Sequence, residues 1–164
     1  MTAEFTPDWV FDDVDREMMT LALEEARRAG AAGDIPIGAV VCAADRTPLA
    51  RAGNRRERDH DPTAHAELLA LRDASRTLGA WRLAGCFLYV TLEPCPMCAA
   101  AAVLSRLGTL IYAAPDPKAG FAGSLGNLLE DPRLNHRVAW RSGVMAGESA
   151  ALLASFFANL RARG

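Results

Sequence analysis

The sequence predicts an α/β protein built on a mainly parallel sheet with helices on both faces. Two observations predict it. From residue 37 onward short apolar runs alternate with stretches of helical spacing, and glycine or proline punctuates nearly every change of element. The chain, at 164 residues, is also long enough to bury one core without disulfides. One domain is therefore expected over residues 15–164, preceded by an acidic leader, residues 1–14.

Residues 13–29 place Val14, Met18, Leu21, Ala22 and Ala26 at helical spacing, with acids at the start and Arg27, Arg28 and Gly30 at the end. Residues 37–43 and 48–53 are strand candidates separated by a polar turn, hence a hairpin. A charged loop, 54–61, comes next. Pro62 suits the first turn of a helix that continues over 63–78 until Gly79 stops it. Residues 86–92 form a buried strand, 95–107 a helix closed by Gly108, and 109–113 another strand. Residues 115–127 make an irregular loop of the kind that carries function on a rigid frame. A short helical piece is expected at 125–130, a last strand at 137–141, and a last helix at 148–160 with Leu152, Leu153, Phe156 and Phe157 on or near its inner face.

Hydrophobic residues at 51% and charged residues at 23% describe a globular protein, neither disordered nor fibrous. No stretch is a membrane span. Residues 1–15 lack the basic start and apolar stretch of a secretory signal, which predicts a cytoplasmic location. Residues 1–17 hold six acids against Arg16, a local charge of −5, which leaves +3 for the rest of a chain whose net charge is −2. That balance permits an RNA partner without implying one.

The cysteines divide into two kinds. Cys42 and Cys86 lie within apolar runs and read as small core residues, whereas Cys95 and Cys98 form a C-x-x-C, which in a cytosolic chain points to metal or redox chemistry. A C-x-x-C at a helix start sets two sulfurs beside unpaired backbone N–H groups that favour thiolates. His65-Ala-Glu67 lies near the start of the preceding helix. If the two helices lie side by side on a parallel sheet, His65 meets Cys95 and Cys98. Three such ligands leave a fourth tetrahedral position for water, the arrangement of a catalytic zinc. Glu67 then stands beside that water as a proton shuttle, where zinc lowers the water pKa to about 7.

His-x-Glu paired with Pro-Cys-x-x-Cys is the signature of zinc-dependent nucleobase deaminases. Beyond it, Asp61-Pro-Thr-Ala-His-Ala-Glu67, Leu88-Tyr-Val-Thr-Leu-Glu-Pro-Cys-Pro-Met-Cys98, Asp116-Pro-Lys118 with Gly123-Ser-Leu125, and Asn135-His-Arg137 resemble segments of the bacterial tRNA adenosine deaminases. The resemblance spans roughly residues 15 to 160. It implies the three-layer α/β/α cytidine-deaminase-like fold with a mixed, mainly parallel five-stranded sheet, one zinc per chain, a homodimer, and conversion of adenosine 34 to inosine in an arginine tRNA. It further implies that His65, Cys95 and Cys98 hold the zinc, and that zinc-bound hydroxide attacks C6 of the flipped adenine while Glu67 shuttles protons. By the same resemblance Asn54 bonds the flipped base, Asp116 and Lys118 lie against the RNA strand, and Phe156 or Phe157 stacks near it, Phe156 being the expected contact.

Other readings make different demands. His60 and His136 are structural, the second supporting a turn, and Glu93 fixes the strand-to-helix turn by hydrogen bonding. A thiol oxidoreductase has no use for His-Ala-Glu, and bound zinc excludes it. A structural zinc module needs a fourth protein ligand, which Cys42 and Cys86 are poorly placed to supply. The rival is a deaminase of the same fold acting on free guanine, cytosine or a nucleotide such as dCMP.

Overall fold

The computed structural model describes residues 10–164. The first nine residues of the expected leader lie outside the described residues. The end of the leader belongs to the fold: Asp12 caps helix α1 (Asp13–Ala31), accepting from the Asp15 amide at 2.7 Å while Asp15 reaches back to the Asp12 amide, a capping box. Asp15 is fully buried and accepts from Arg46 at 2.9 Å and from the Tyr89 hydroxyl at 2.8 Å.

The remaining elements are β1 (Gly38–Cys42), β2 (Pro48–Gly53), α2 (Ala66–Leu78), β3 (Phe87–Leu92), α3 (Pro96–Leu104), β4 (Thr109–Ala114), β5 (Ala139–Ser142) and α4 (Ala146–Arg163). The sheet order is β2-β1-β3-β4-β5. Strand β1 pairs antiparallel with both β2 and β3, whereas β3–β4 and β4–β5 are parallel. Four strands therefore point one way and β1 alone runs back, so the sheet is mixed as expected.

Alternation along the strands divides the core into two layers. Val40, Cys42, Tyr89, Ile111 and Ala113 face Met18, Met19, Ala22 and Leu23 of α1, with Leu152 of α4 packed beside them. Ala39, Val41, Leu88, Val90, Leu110 and Tyr112 face Ala66, Ala70 and Ala74 of α2 and Ala99, Ala102 and Val103 of α3. Cys42 and Cys86 are buried among these side chains. His136 contacts the Leu107 carbonyl at 2.8 Å and so supports the turn after α3.

Three expectations about helices are corrected. Helix α2 begins at Ala66 and not at Pro62, because the Asp61 carboxylate accepts from both the amide and the hydroxyl of Thr63 and holds residues 61–64 in a turn. Helix α3 ends at Leu104, where Ser105 caps it and Leu107 bonds back to Ala102. Residues 125–130 form no helix: Leu128 donates to Phe121, Leu129 donates to the Asn127 side chain, and Ala122 bridges Asn127.

Helix α1 lies so close to the hairpin that its backbone touches the strands. Gly38 and Gly53 are cross-strand partners beneath it, and a Cβ at Gly38 would overlap the Ala22 carbonyl oxygen and the Ala26 nitrogen. Backbone cannot yield as a side-chain tip can. Gly38→Ala is therefore expected to lower unfolding free energy by about 3 kcal/mol or more, the upper end of overpacking costs. A urea midpoint equal to the parent's would show that α1 has room to retreat.

Candidate metal centre and active-site cavity

Because β2 and β3 run in the same direction, the helices after them start at the same edge of the sheet. His65 is the N-cap of α2 and Cys95 the N-cap of α3, and neither side chain caps its own helix. Cys98 lies in the first turn of α3, where Pro96 starts the helix at no cost in hydrogen bonds. His65 Nδ1 is 3.6 Å from Cys95 Sγ and 3.6 Å from Cys98 Sγ.

These distances test whether the residues fit a metal. Nitrogen at 2.0–2.1 Å and sulfur at 2.3 Å from a tetrahedral zinc lie about 3.6 Å apart, so the His–Cys separations match zinc spacing without rearrangement. The three donor atoms all lie within 4.8 Å of one another. No fourth His, Cys, Asp or Glu joins the group among the described residues. The donor set therefore fits zinc with a position left over.

Charge in the metal-free cluster is distributed unequally. A hydrogen bond from the Cys98 thiol, with a second from His65, pulls the Cys95 thiol down to about 4. The same bond to Cys95, together with burial, pushes Cys98 up. His65 is raised, chiefly through its bond to Cys95. Glu67, the second residue of α2, is buried, and loss of water raises its carboxyl to about 7.

His65, Glu67 and Cys95 line one cavity of about 450 Å³. Asp116, Lys118 and Arg56 are at its rim, with Leu153 and Phe157 entering from α4. The Asp116 carboxylate accepts from the amides of Lys118 and Ala119, so one of its oxygens shapes its own turn. Lys118 is exposed. Asn54 is buried and lies outside this cavity; it lines a neighbouring polar one of about 240 Å³. Its amide reaches the Ile35 carbonyl and the Arg56 amide by long contacts of 3.4 Å, and Ile35 and Arg56 line the larger cavity. Phe156 is not brought to the site: it faces Gly30 and Pro36, while its neighbour Phe157 enters the cavity. Adjacent helical residues point about 100° apart, so only one of the two can do so.

Ile35 and Ile37 also line the cavity and escaped sequence reasoning. They precede β1, and because β1 runs against its neighbours its beginning lies beside their ends. Recognising that reversal would have found them.

Three donor groups that fit a metal with a position to spare, beside a buried carboxylate in a cavity open to solvent, are the arrangement of a hydrolytic metal centre. Residues 12–114 match the cytidine and deoxycytidylate deaminase zinc-binding region. The chain is 47% identical over 147 residues to the tRNA-specific adenosine deaminase of Bacillus subtilis, covering 90% of this chain and 91% of that one. A solved tRNA:A34 deaminase superposes with a TM-score of 0.80 at 46% identity, covering 84% of this chain and 99% of the other. A guanine deaminase from Nitrosomonas europaea superposes with a TM-score of 0.75 at 25% identity, covering 94% and 89%. The chain belongs to the cytidine and deoxycytidylate deaminase family and, within it, to the tRNA-specific adenosine deaminases. Among the described residues no helix is long and apolar enough to cross a membrane.

Proposed function

We propose that this chain hydrolyses adenosine to inosine at the wobble position of a tRNA anticodon, releasing ammonia, with one zinc per chain. The observation that carries the reading is the cluster of His65, Cys95 and Cys98, two of which line one cavity together with buried Glu67, in a chain 47% identical to a tRNA-specific adenosine deaminase. Zinc, when bound, supplies a Lewis acid that makes water nucleophilic at neutral pH. The Glu67 carboxylate would accept a proton from the attacking water and return it to the departing amine. Its burial beside the metal donors suits this work, since loss of water raises the carboxyl and makes it a readier proton acceptor than a solvated one. Asn54, whose contacts to Ile35 and Arg56 beside the cavity are long at 3.4 Å, exchanges them to offer its amide donors and acceptors to the purine edge, and the aromatic platform is Phe157.

A flipped base in a cavity of this size contributes only part of the affinity an RNA enzyme needs. Arg56 and Lys118 stand at the rim to meet phosphates, with Arg55 and Arg58 on the same loop as Arg56. The substrate proposed is an arginine tRNA carrying A34, in the cytoplasm. The enzyme is proposed to work as a homodimer, with half-buried Ala100 and Ala101 and exposed Leu104 giving α3 an apolar outer face for a second copy.

The test is an anticodon stem-loop bearing A34, scored for inosine beside free adenosine, cytidine and guanine. Deamination of the stem-loop with little turnover of the free compounds is expected, and binding should fall between low and moderate salt as phosphate contacts are screened. Asn54→Ala should lower turnover of bound RNA more than RNA affinity. Efficient turnover of free guanine with none on the stem-loop would overturn the tRNA reading and leave the hydrolytic centre standing.

A further inference from the structure

Glu93 stands between β3 and the metal cluster, is 2% exposed, and has no salt-bridge partner among the described residues. Its carboxylate accepts four hydrogen bonds instead. Oε2 takes the Asp116 amide at 2.8 Å and the Ser124 hydroxyl at 2.5 Å, and Oε1 takes the amides of Ala122 at 3.1 Å and Ser124 at 2.9 Å. All four donors belong to one loop, which passes from β4 over the cavity. A buried carboxylate that receives this many donors is fully satisfied, and each bond is charge-assisted. Gly120, on the same loop, is fitted to it: a Cβ there would overlap the Glu93 carboxylate.

Turn geometry at Pro94 does not account for this arrangement, since every side-chain bond of Glu93 reaches more than twenty residues forward. One of the bonds falls within the stretch 115–119, which lines the cavity, and three fall just beyond it. Without them the loop is secured by the Phe121 amide on Pro94, the Gly120 amide on Asp116, the Leu125 amide on Gly120, the Tyr112 hydroxyl on the Ala122 carbonyl and the turn that Asp116 makes with itself.

We infer that Glu93 is a positioning residue that clamps the loop from Asp116 to Ser124 as a fixed wall of the cavity, and that through Asp116 and Lys118 it governs how tightly an extended substrate is held. The substrate half of this inference rests on the RNA reading above; the clamp does not. Glu93→Gln places an NH₂ opposite two of the four donors and so turns attraction into repulsion while keeping shape. Gly120→Ala presses on the same carboxylate from the loop side, well away from the metal donors in sequence. Ser124→Ala removes the hydroxyl bond alone.

The experiment measures amide hydrogen exchange of the zinc-loaded protein by mass spectrometry, with zinc content and steady-state kinetics on the A34 stem-loop. Glu93→Gln and Gly120→Ala should each speed exchange in the segment 116–124 by about tenfold or more and leave β3, β4 and one zinc per chain unchanged. Both should raise KM by about tenfold with a smaller fall in kcat, and Ser124→Ala should do the same more weakly. The double variant of Glu93 and Gly120 should be little worse than either alone, because both break one clamp. Loop exchange at the parent rate would overturn the clamp, and zinc loss in Glu93→Gln with normal loop exchange in Gly120→Ala would make Glu93 a support of the metal site instead. Faster loop exchange with KM unmoved would keep the clamp and overturn its role in holding substrate.

Discussion

Glu67→Gln is expected to keep the fold and the zinc while lowering kcat on an A34 stem-loop by about 10²–10⁴-fold, the usual worth of general acid–base help. Glutamine matches glutamate in volume and can still accept a hydrogen bond, so a side chain buried in the first turn of α2 loses its proton chemistry and little packing. The raised carboxyl also means that Glu67 is costly to keep charged in the metal-free protein, so the neutral amide should stabilise that state slightly or leave it unchanged. The measurement is a single-turnover assay with saturating enzyme beside elemental analysis. Single-turnover rates within a few-fold of the parent, with zinc intact, would place the proton transfer on another group.

How far the sequence foretold this site depends on whether each feature was local or arose between distant segments. The cluster of His65, Cys95 and Cys98 was legible because C-x-x-C and His-x-Glu each lie at one helix start, and the parallel order that joins them came from alternating elements. The strands β1 to β4 were legible for the same reason, since apolar runs bounded by glycine and proline speak for themselves. Residues 125–130 misled because Leu125, Leu128 and Leu129 have helical spacing, whereas the backbone there bonds to Phe121 and to the Asn127 side chain. The early start assigned to α2 failed on Asp61, whose carboxylate competes for the amides that a helix would use. Phe156 and Phe157 could not be separated by pattern, because a helix with one buried residue, Ser149, has no strong inner face to fix its rotation. Glu93 was read as a local turn support, since nothing near it in the chain announces partners more than twenty residues away.

Cys95→Ala and Cys98→Ala are each expected to abolish turnover together with bound zinc, the largest effect of any change considered. Two remaining donors cannot hold the ion as three do, and removing a ligand should cost more than the roughly 10–100-fold in affinity lost with an outer hydrogen-bond partner. Cys42→Ala and Cys86→Ala are the controls: both thiols are buried in the core, burial pushes Cys42 up to about 12, and neither substitution should remove metal. Chelation of the parent should reproduce the cysteine variants and expose a reactive thiol. Cys95 is the one expected to alkylate first, because the Cys98 thiol and His65 hold it as a thiolate at neutral pH. Zinc must displace a proton from Cys98, which burial and its bond to Cys95 keep protonated, and compete with protons for His65, which that thiolate raises. Affinity for the ion should therefore weaken steadily as pH falls, in the direction linkage requires when the metal-free state binds more protons. Full zinc occupancy in Cys95→Ala and Cys98→Ala, measured by elemental analysis on folded protein, would remove both as ligands and with them the hydrolytic centre.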